Sequence, residues 1–268
     1  MLKLTASILL LTLFSAFSAQ ASAAQVFGNP VQGGLLYIRT DRPVVYGDRT
    51  LTPRDGFVMI GVSRDYGDEL LFSIGGKPYR VEIAKQQWRV QRIDNLAQRM
   101  VTPPEHELPR IERERLAVRS AFSASTFPGL PKCFIKPVQG RVSGVFGSQR
   151  ILNGQPRSPH NGIDIAAPKG TPVKAAAAGR VALVLDDAYF MGNTIVIDHG
   201  AGIFSIYAHL DRNDAAAGQK VEMGQAIGTV GMTGRATGPH LHFGTSFFSS
   251  YFNPLSAINY NICQMDGG

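Results

Sequence analysis

Residues 228–243 read GTVGMTGRATGPHLHF and decide the fold of the C-terminal half of the chain. The glycines that recur up to Gly238 are typical of a strand followed by tight loop bends that bring the backbone close to a site. The residues that follow alternate between histidine and apolar side chains, as in a half-buried β-strand. His240 and His242 therefore share one face of that strand, and Leu241 points into the apolar interior.

Two segments upstream offer side chains of the same chemical kind. In residues 160–165, HNGIDI, the glycine and the isoleucines favour a loop that enters a strand over a helix. Extended backbone places His160 and Asp164 on one face, so imidazole and carboxylate can converge on one ion. In residues 204–210, FSIYAHL, strand alternation predicts that Tyr207 and His209 lie side by side.

Two histidines and one carboxylate are the ligand set of a catalytic zinc site, in which a fourth position stays open for water. Further imidazoles beside such a site suit general acid and base catalysis, or stabilisation of the negative charge that develops as a carbonyl is attacked. Of the 6 histidines, all except His106 lie in the last part of the chain. His106 stands in a charged stretch and His199 in a turn-like DHGAG segment, so both are expected to be structural or solvated.

These residues resemble the M23 zinc metallopeptidases, the lysostaphin-like endopeptidases that cut peptide cross-bridges of bacterial peptidoglycan. The likeness covers residues 133–260, and its motifs occur in the expected order. The motifs are His160-x-x-x-Asp164, Tyr207-Ala-His209-Leu210, VEMGQAIG at residues 221–228, and Thr233-Gly234 through Gly238-Pro239-His240-Leu241-His242-Phe243.

The resemblance implies a role for each matched residue. The residues that it assigns to zinc, one ion per chain, are His160, Asp164 and His242. It implies that His209 and His240 are the catalytic pair that activates water and stabilises the tetrahedral intermediate, with Tyr207 as a further helper. Some relatives have lost zinc ligands and act as activators of amidases. Every ligand and catalytic position is filled here, which favours an active enzyme.

The whole chain is predicted to be all-β. The resemblance implies a C-terminal peptidase domain of two packed sheets with zinc on the floor of the groove between them. Short apolar runs separated by turn signals predict a small N-terminal β-sandwich or barrel module, and the charged stretch after Thr102-Pro103-Pro104 predicts a short connecting helix. The predicted divisions are a signal peptide at 1–24, the N-terminal β module at 25–102, a charged helical linker at 103–126 and the M23-like zinc peptidase domain at 127–268.

The first residues predict export. Lys3, the apolar residues 4–17 and the small residues 18–24 follow the order of a secretory signal peptide. The N-terminal module and helix also look like those of exported M23 proteins from Gram-negative bacteria, so the protein is expected to cross the inner membrane into the periplasm. No later apolar run reaches the roughly 20 residues of a spanning helix, so no stable membrane span is expected in the mature protein.

Cysteine content and charge bound the chemistry further. Cys133 and Cys263 are the only cysteines, and an oxidising compartment favours a disulfide between them over two separate buried thiols. The formal net charge is +7, yet no run of five basic residues occurs, which argues against nucleic acid as a partner. A basic surface fits an anionic polymer such as the cell wall, with an attraction that salt weakens.

The sequence therefore predicts an exported zinc endopeptidase that hydrolyses peptide cross-links of its partner, peptidoglycan, through a zinc-activated water. The alternative is a non-catalytic cell-wall binding protein, or an activator of peptidoglycan amidases, that uses the groove to hold a partner. Cross-links from D-alanine to diaminopimelate, other stem-peptide bonds and glycyl bridges all fit the chemistry. The module that precedes the enzyme domain also prompts the hypothesis of autoinhibition, in which the module covers the groove.

Overall fold

A computed structural model describes residues 25–123 and 125–263, so the predicted signal segment lies outside the described residues. Strands account for 44% of the chain and helices for 12%, which confirms the all-β prediction. Within the two described ranges, every helix is too short or too polar to cross a bilayer.

The N-terminal part consists of short strands that form two small sheets. The described strands are β1 (Gln25–Gly28), β2 (Leu35–Arg39), β3 (Val44–Tyr46), β4 (Arg49–Leu51), β5 (Phe57–Gly61), β6 (Glu69–Ile74), β7 (Lys77–Glu82) and β8 (Val90–Ile93). One sheet has the order β1-β2-β5 and the other β4-β3-β6-β7, with antiparallel pairing throughout. Strand β6 buries Leu70, Phe72 and Ile74 at alternate positions, as expected of a sheet with one face on the core.

Helices connect this part to the C-terminal part. The described elements are α1 (Gln98–Val101), a 3₁₀ turn (Glu105–Glu107) and α2 (Leu108–Ser123). Helix α2 occupies the charged stretch in which a helix is predicted. It buries Val118 and Phe122, which are four residues apart on one helical face, and the Phe122 ring lies 5.3 Å from that of Phe204.

The C-terminal part is built on a ten-stranded sheet with the main order β17-β14-β15-β16-β19-β12-β9. Its strands are β9 (Arg141–Gly144), β12 (Gly162–Ala166), β13 (Pro172–Lys174), β14 (Gly179–Ala188), β15 (Gly192–Asp198), β16 (Ile203–Asn213), β17 (Lys220–Val221), β18 (Ala226–Val230), β19 (His240–Phe247) and β20 (Ser250–Phe252). Strands β13 and β18 join it beside β16, and β20 pairs with β19. Helix α3 (Pro254–Asn259) follows, with the Asn253 side chain capping its first turn.

A third small sheet links the two parts of the chain. Strand β10 (Gln149–Leu152) pairs with β11 (Gln155–Pro156) on one side and, in parallel, with β8 on the other. One apolar core also runs through both parts, since residues from Leu35 to Ile83 and from Phe134 to Ile262 belong to a single cluster. This connection was not foreseen from the sequence, and the predicted divisions at residues 102 and 126 stay predictions.

A disulfide joins Cys133 to Cys263, whose Cα atoms are 5.4 Å apart. It ties the start of the C-terminal part to the segment after α3, as the sequence predicts. Closing so long a loop stabilises a fold by roughly 2–5 kcal/mol.

Candidate metal centre

Three adjacent strands of the large sheet position the site. Strand β12 pairs antiparallel with β19, and Asp164 stands directly opposite His242. On the other side of β19, Ala208 of β16 is also opposite His242. Because His240 is two residues from His242, both imidazoles lie on the groove side, while Leu241 is fully buried in the core. The alternation predicted for this strand is present.

His160, Asp164 and His242 bring one ligand atom each to a single point. His160 Nε2 lies 3.0 Å from His242 Nδ1 and 3.1 Å from Asp164 Oδ1, and His242 Nδ1 lies 3.0 Å from the same carboxylate oxygen. Bonds of about 2.0–2.2 Å in a tetrahedral zinc site separate neighbouring ligand atoms by about 3.3 Å. Two imidazole nitrogens and one carboxylate oxygen at these separations fit a zinc ion with little adjustment.

Backbone carbonyls orient the histidine rings. His160 Nδ1 donates to Val145 O at 3.1 Å, and His209 Nδ1 donates to Thr233 O at 2.9 Å. A carbonyl only accepts hydrogen bonds, so Nδ1 carries the proton and Nε2 keeps its lone pair for the groove. His240 is held in the same way, through Gly238 O at 2.8 Å. Such partners fix the tautomer of a metal-binding or catalytic histidine.

Arg150 of β10 holds the other carboxylate oxygen of Asp164. Its Nη2 donates to Oδ2 at 2.8 Å, so Oδ2 is bound by Arg150 while Oδ1 faces His160 and His242. Burial raises the pKa of Asp164, but the imidazoles of His160 and His242, which lie against its Oδ1, hold this pKa well below its usual range. The carboxylate is therefore ionised at every physiological pH.

Two glycines make room for the ligand side chains. A Cβ at Gly144 would overlap the carboxylate of Asp164, and a Cβ at Gly162 would lie 2.9 Å from the His242 ring. Larger residues at either position would displace a ligand atom.

Strand β16 contains a bulge at His209. Tyr207 and Leu210 pair with Ile195 and Asn193 of β15, so β16 has one extra residue over this interval. His209 has a φ of 63°, in the left-handed region that few non-glycine residues adopt. Strain of this kind costs on the order of 1–3 kcal/mol and clusters at functional sites. The bulge directs the His209 imidazole into the groove.

The expectation that Tyr207 lies beside His209 is wrong, because the bulge breaks the alternation on which it rests. Tyr207 is fully buried on the core side of β16, and its hydroxyl accepts a hydrogen bond from Ala176 N at 2.8 Å. Burial raises its pKa to about 12, although hydrogen bonds from Ser205 and Ala176 oppose the shift. The Tyr207 hydroxyl therefore lies in the core and not beside the His209 imidazole.

His209 and His240 stand beside the metal ligands as a pair. Their ring centroids are 4.8 Å apart, and His240 Nε2 lies 3.8 Å from Asp164 Oδ1. Burial, followed by the charges of His240 and His242, lowers the pKa of His209 to about 3, so this imidazole is neutral at neutral pH. A neutral imidazole with a free Nε2 can accept a proton.

The remaining histidines lie elsewhere, as expected. His199 is fully buried, with Nδ1 donating to Ala178 O at 2.8 Å and Nε2 lying 2.7 Å from Ser205 Oγ. His106 is largely exposed, near Glu107. Neither ring reaches the groove.

Two cavities of about 400 and 240 Å³ flank the metal centre. His209, Arg150 and Arg235 line both of them, and Arg157 lines the larger one. Sequence reasoning missed these three arginines. For Arg235 there was a signal, since it is the one charged residue in the glycine-rich stretch at residues 228–239. Arg150 and Arg157 precede the first histidine motif without any comparable mark.

Residues 96–101, here called the strap, cross the groove. The Asn153 side chain holds Leu96 by two hydrogen bonds, accepting from its N–H at 3.0 Å and donating to its carbonyl at 2.8 Å. Arg157 Nη2 donates to Val101 O at 2.9 Å. The Val101 side chain is buried and lines the larger cavity.

Two other loops hold the middle of the strap. Tyr189 Oη donates to Arg99 O at 2.7 Å, and Arg235 Nη1 donates to Met100 O at 3.2 Å. The Arg235 guanidinium also lies 4.4 Å from the centre of the Phe190 ring. The strap is thus attached to several walls of the groove, and the carbonyls of Met100 and Val101 face arginines.

Comparison with known proteins identifies relatives of this site. The sequence model of peptidase family M23 matches residues 158–254. The Vibrio cholerae protein named peptidoglycan DD-endopeptidase ShyA is 44% identical over 104 residues, which are 38% of this chain and 24% of that protein. The Neisseria meningitidis protein named DD-carboxypeptidase/endopeptidase Mpg is 44% identical over 97 residues, which are 36% of this chain and 22% of that protein. The match therefore spans less than a quarter of these curated relatives.

A solved structure matches nearly the whole chain. The crystal structure of a Pseudomonas aeruginosa protein assigned to peptidase family M23 is 30% identical, with a TM-score of 0.67. The match covers 87% of this chain and 96% of that one, so it includes both the N-terminal and the C-terminal parts. The chain therefore belongs to peptidase family M23.

Proposed function

We propose that this chain is a zinc endopeptidase that is exported to the periplasm and hydrolyses peptide cross-links of peptidoglycan. The observation that carries the proposal is the convergence of ligand atoms of His160, Asp164 and His242 within 3.1 Å of one another, beside two further histidines in a groove. The names of the V. cholerae and N. meningitidis relatives support peptidoglycan as the substrate class. The disulfide supports an oxidising compartment.

In this proposal His160, Asp164 and His242 hold the zinc ion. The chemistry that zinc supplies when bound is Lewis-acid activation of a water and of the peptide carbonyl. Arg150 keeps the Asp164 carboxylate in place through the oxygen that faces away from the ligand cluster. The carbonyl of Val145 keeps the proton of His160 on Nδ1, so that Nε2 remains a ligand atom.

His209 and His240 are proposed as the catalytic pair. His209 is neutral and its Nε2 is unprotonated, so it accepts the proton of the attacking water and later passes it to the leaving amine. His240, at 4.8 Å between ring centroids, is the second member of the pair; because its Nδ1–H already donates to Gly238 O, it stabilises the negative charge of the tetrahedral intermediate through Nε2 when that nitrogen also carries a proton. The hydrogen bonds to Thr233 and Gly238 hold both rings in place before the substrate arrives.

The strap supports the hypothesis that the N-terminal part inhibits the enzyme. Residues 96–101 lie where a peptide would pass the metal centre, and four of their carbonyls accept hydrogen bonds from groove residues. A substrate must displace these contacts before it reaches His209. We propose that the described conformation is the closed state of the enzyme.

Digestion of purified peptidoglycan tests the activity. The zinc-loaded protein is expected to convert cross-linked muropeptide dimers into monomers, identified by liquid chromatography and mass spectrometry, whereas the His209→Ala protein is expected to leave them intact. His106→Ala, at an exposed position, serves as the matched histidine control and should retain activity. Unchanged dimers with the wild-type protein and with strap-weakened variants would contradict the proposal and favour an amidase activator or a binding protein.

A further inference from the structure

Arg157 and Arg235 lie in the groove without an acidic partner. Among the residues of the described ranges, neither guanidinium has a carboxylate oxygen within 4.0 Å, whereas the neighbouring Arg150 is paired with Asp164. Both side chains are half-buried and line the larger cavity beside the metal ligands. Guanidinium groups that are partly removed from water are normally paired with an anion, so we expect an anion to bind between Arg157 and Arg235.

The strap supplies a hydrogen-bond acceptor to each of these arginines, and Arg157 also donates to Pro156 O at 3.2 Å and to Gln155 Oε1. Arg235 donates to the carbonyl of Met100, and Arg157 donates to the carbonyl of Val101. These are consecutive carbonyl oxygens, and each carries only a partial negative charge. They offer two acceptors, as a carboxylate does, but without its full charge.

The charge of the cavity favours an anion as well. Its charged lining residues are Arg150, Arg157 and Arg235, and no aspartate or glutamate of the described chain joins them there. Burial and the charges of Arg150 and Arg157 lower the pKa of Arg235 to about 10, which leaves it protonated at neutral pH. The cavity therefore holds more positive charge than the Asp164 carboxylate offsets.

We propose that Arg157 and Arg235 form a carboxylate-binding subsite, which selects peptides that carry a free carboxylate next to the bond held at the metal centre. The strap carbonyls occupy this subsite in the closed state, and the carboxylate of the substrate replaces them. This inference rests on the proposed function, because it names a chemical feature of the peptide substrate. It makes the two arginines specificity residues, distinct from the zinc ligands and from the His209–His240 pair.

Matched peptides test the subsite by binding. The probes are N-acetyl-D-alanyl-D-alanine, its C-terminal carboxamide, and a carboxamide analogue whose last residue is D-glutamate. Calorimetry with the full zinc-loaded chain is expected to show about ten-fold tighter binding of one or both carboxylates than of the first carboxamide. The first peptide carries a main-chain carboxylate and the third a side-chain carboxylate, so comparing them shows which kind the subsite binds. The same titrations are repeated with Asn153→Gly, in case the strap of the wild-type protein keeps the peptides out of the subsite. This variant removes both side-chain hydrogen bonds from Asn153 to the strap, and glycine tolerates the φ of 46° at that position.

Arginine variants test whether Arg157 and Arg235 cause the preference for a carboxylate over a carboxamide. Arg157→Met with Arg235→Met is expected to reduce the preference to less than about three-fold, while Arg113→Met, exposed on α2, leaves it intact. The two single variants, each expected to lose part of the preference, replace the double variant if thermal melting shows that it is unfolded. A preference that survives loss of the arginines, or no preference in both the wild-type and Asn153→Gly proteins, would overturn the subsite. Hydrolysis is measured separately. Preferential binding without cleavage upholds the subsite and refutes the endopeptidase. Cleavage without preferential binding upholds the endopeptidase and refutes the subsite.

Discussion

Strand β16 carries two histidine environments on its opposite faces. On the core side, Ser205 contacts both Tyr207 and His199, and His199 is fully buried, with a pKa lowered to about 4, mainly by burial. On the groove side, His209 has a pKa lowered to about 3, also mainly by burial. Both rings are buried and both pKa values are lowered, yet one ring is structural and the other is the proposed catalytic base.

The difference lies in the second ring nitrogen. Both nitrogens of His199 contact protein groups, Ala178 O and Ser205 Oγ. His209 uses only Nδ1, on Thr233 O, and leaves Nε2 to the groove. Burial and a shifted pKa therefore do not identify a functional histidine. A fixed tautomer with one nitrogen open to a cavity does.

Removing the groove histidine is expected to have the largest effect. His209→Ala should lower the rate of cross-link hydrolysis on the order of 10³-fold, because it removes the proposed proton acceptor. Zinc content, measured by mass spectrometry of the metal, and the melting temperature should stay close to wild type. Hydrolysis retained within ten-fold would refute the role of His209, and loss of zinc would instead make it a ligand.

The core histidine is expected to control stability toward acid. In the unfolded chain His199 takes up a proton near its ordinary pKa of 6.5, but in the folded protein burial delays this to about pH 4, against the opposing effects of the Ala178 carbonyl and the Asp198 charge. Between these values unfolding binds a proton, so stability falls as the pH falls. The contribution lost across this window is roughly 3 kcal/mol.

Urea unfolding of the wild-type and His199→Gln proteins at several pH values isolates this contribution. The difference between their free energies of unfolding should change mainly between pH 6.5 and 4, with the wild type losing more stability as the pH falls. Parallel curves for the two proteins would mean that His199 is not the group responsible.

Removing the arginine that holds Asp164 is expected to have an intermediate effect. Arg150→Met should weaken zinc binding by about 10- to 100-fold, because Asp164 loses the partner of its outer oxygen. Competition with a chromogenic chelator measures this affinity, and Arg113→Met is the control. An unchanged zinc affinity would show that Asp164 keeps its orientation without Arg150.

Much of the site could be predicted from sequence spacing. Alternation places His240 and His242 on one face, and the even spacing of His160 and Asp164 brings them together, because these segments are regular strands or enter one. The same rule fails at Tyr207, since a bulge with a left-handed histidine has no sequence signal comparable to a glycine. The remaining groove histidine, His209, was assigned to the catalytic pair from the family resemblance.

The contribution of the N-terminal part could not be predicted. Parallel pairing of β8 with β10 and the position of the strap depend on contacts between segments about 60 residues or more apart, such as Leu96 with Asn153 and Tyr189 with Arg99. Many of these contacts use backbone carbonyls, which every sequence offers. The hypothesis that this part covers the groove was available from domain order alone, but the covering residues were not.

Loosening the strap is expected to have the smallest effect. Tyr189→Phe removes the hydroxyl that holds Arg99 and should raise the hydrolysis rate about two- to ten-fold, since one neutral hydrogen bond contributes roughly 0.5–1.5 kcal/mol to the closed state. Tyr260→Phe, at an exposed tyrosine, should leave the rate unchanged. A lower rate for Tyr189→Phe would argue that the strap assists the substrate and does not block it.

Titration of zinc into the metal-free protein tests the central claim most directly. Cross-link hydrolysis should be absent after chelation, rise with added zinc and saturate at one equivalent per chain, whereas the Asp164→Asn protein should show neither tight zinc binding nor hydrolysis. Hydrolysis that persists at full rate in the chelated protein, or that Asp164→Asn retains, would contradict the assignment of the His160, Asp164 and His242 cluster as the catalytic metal centre.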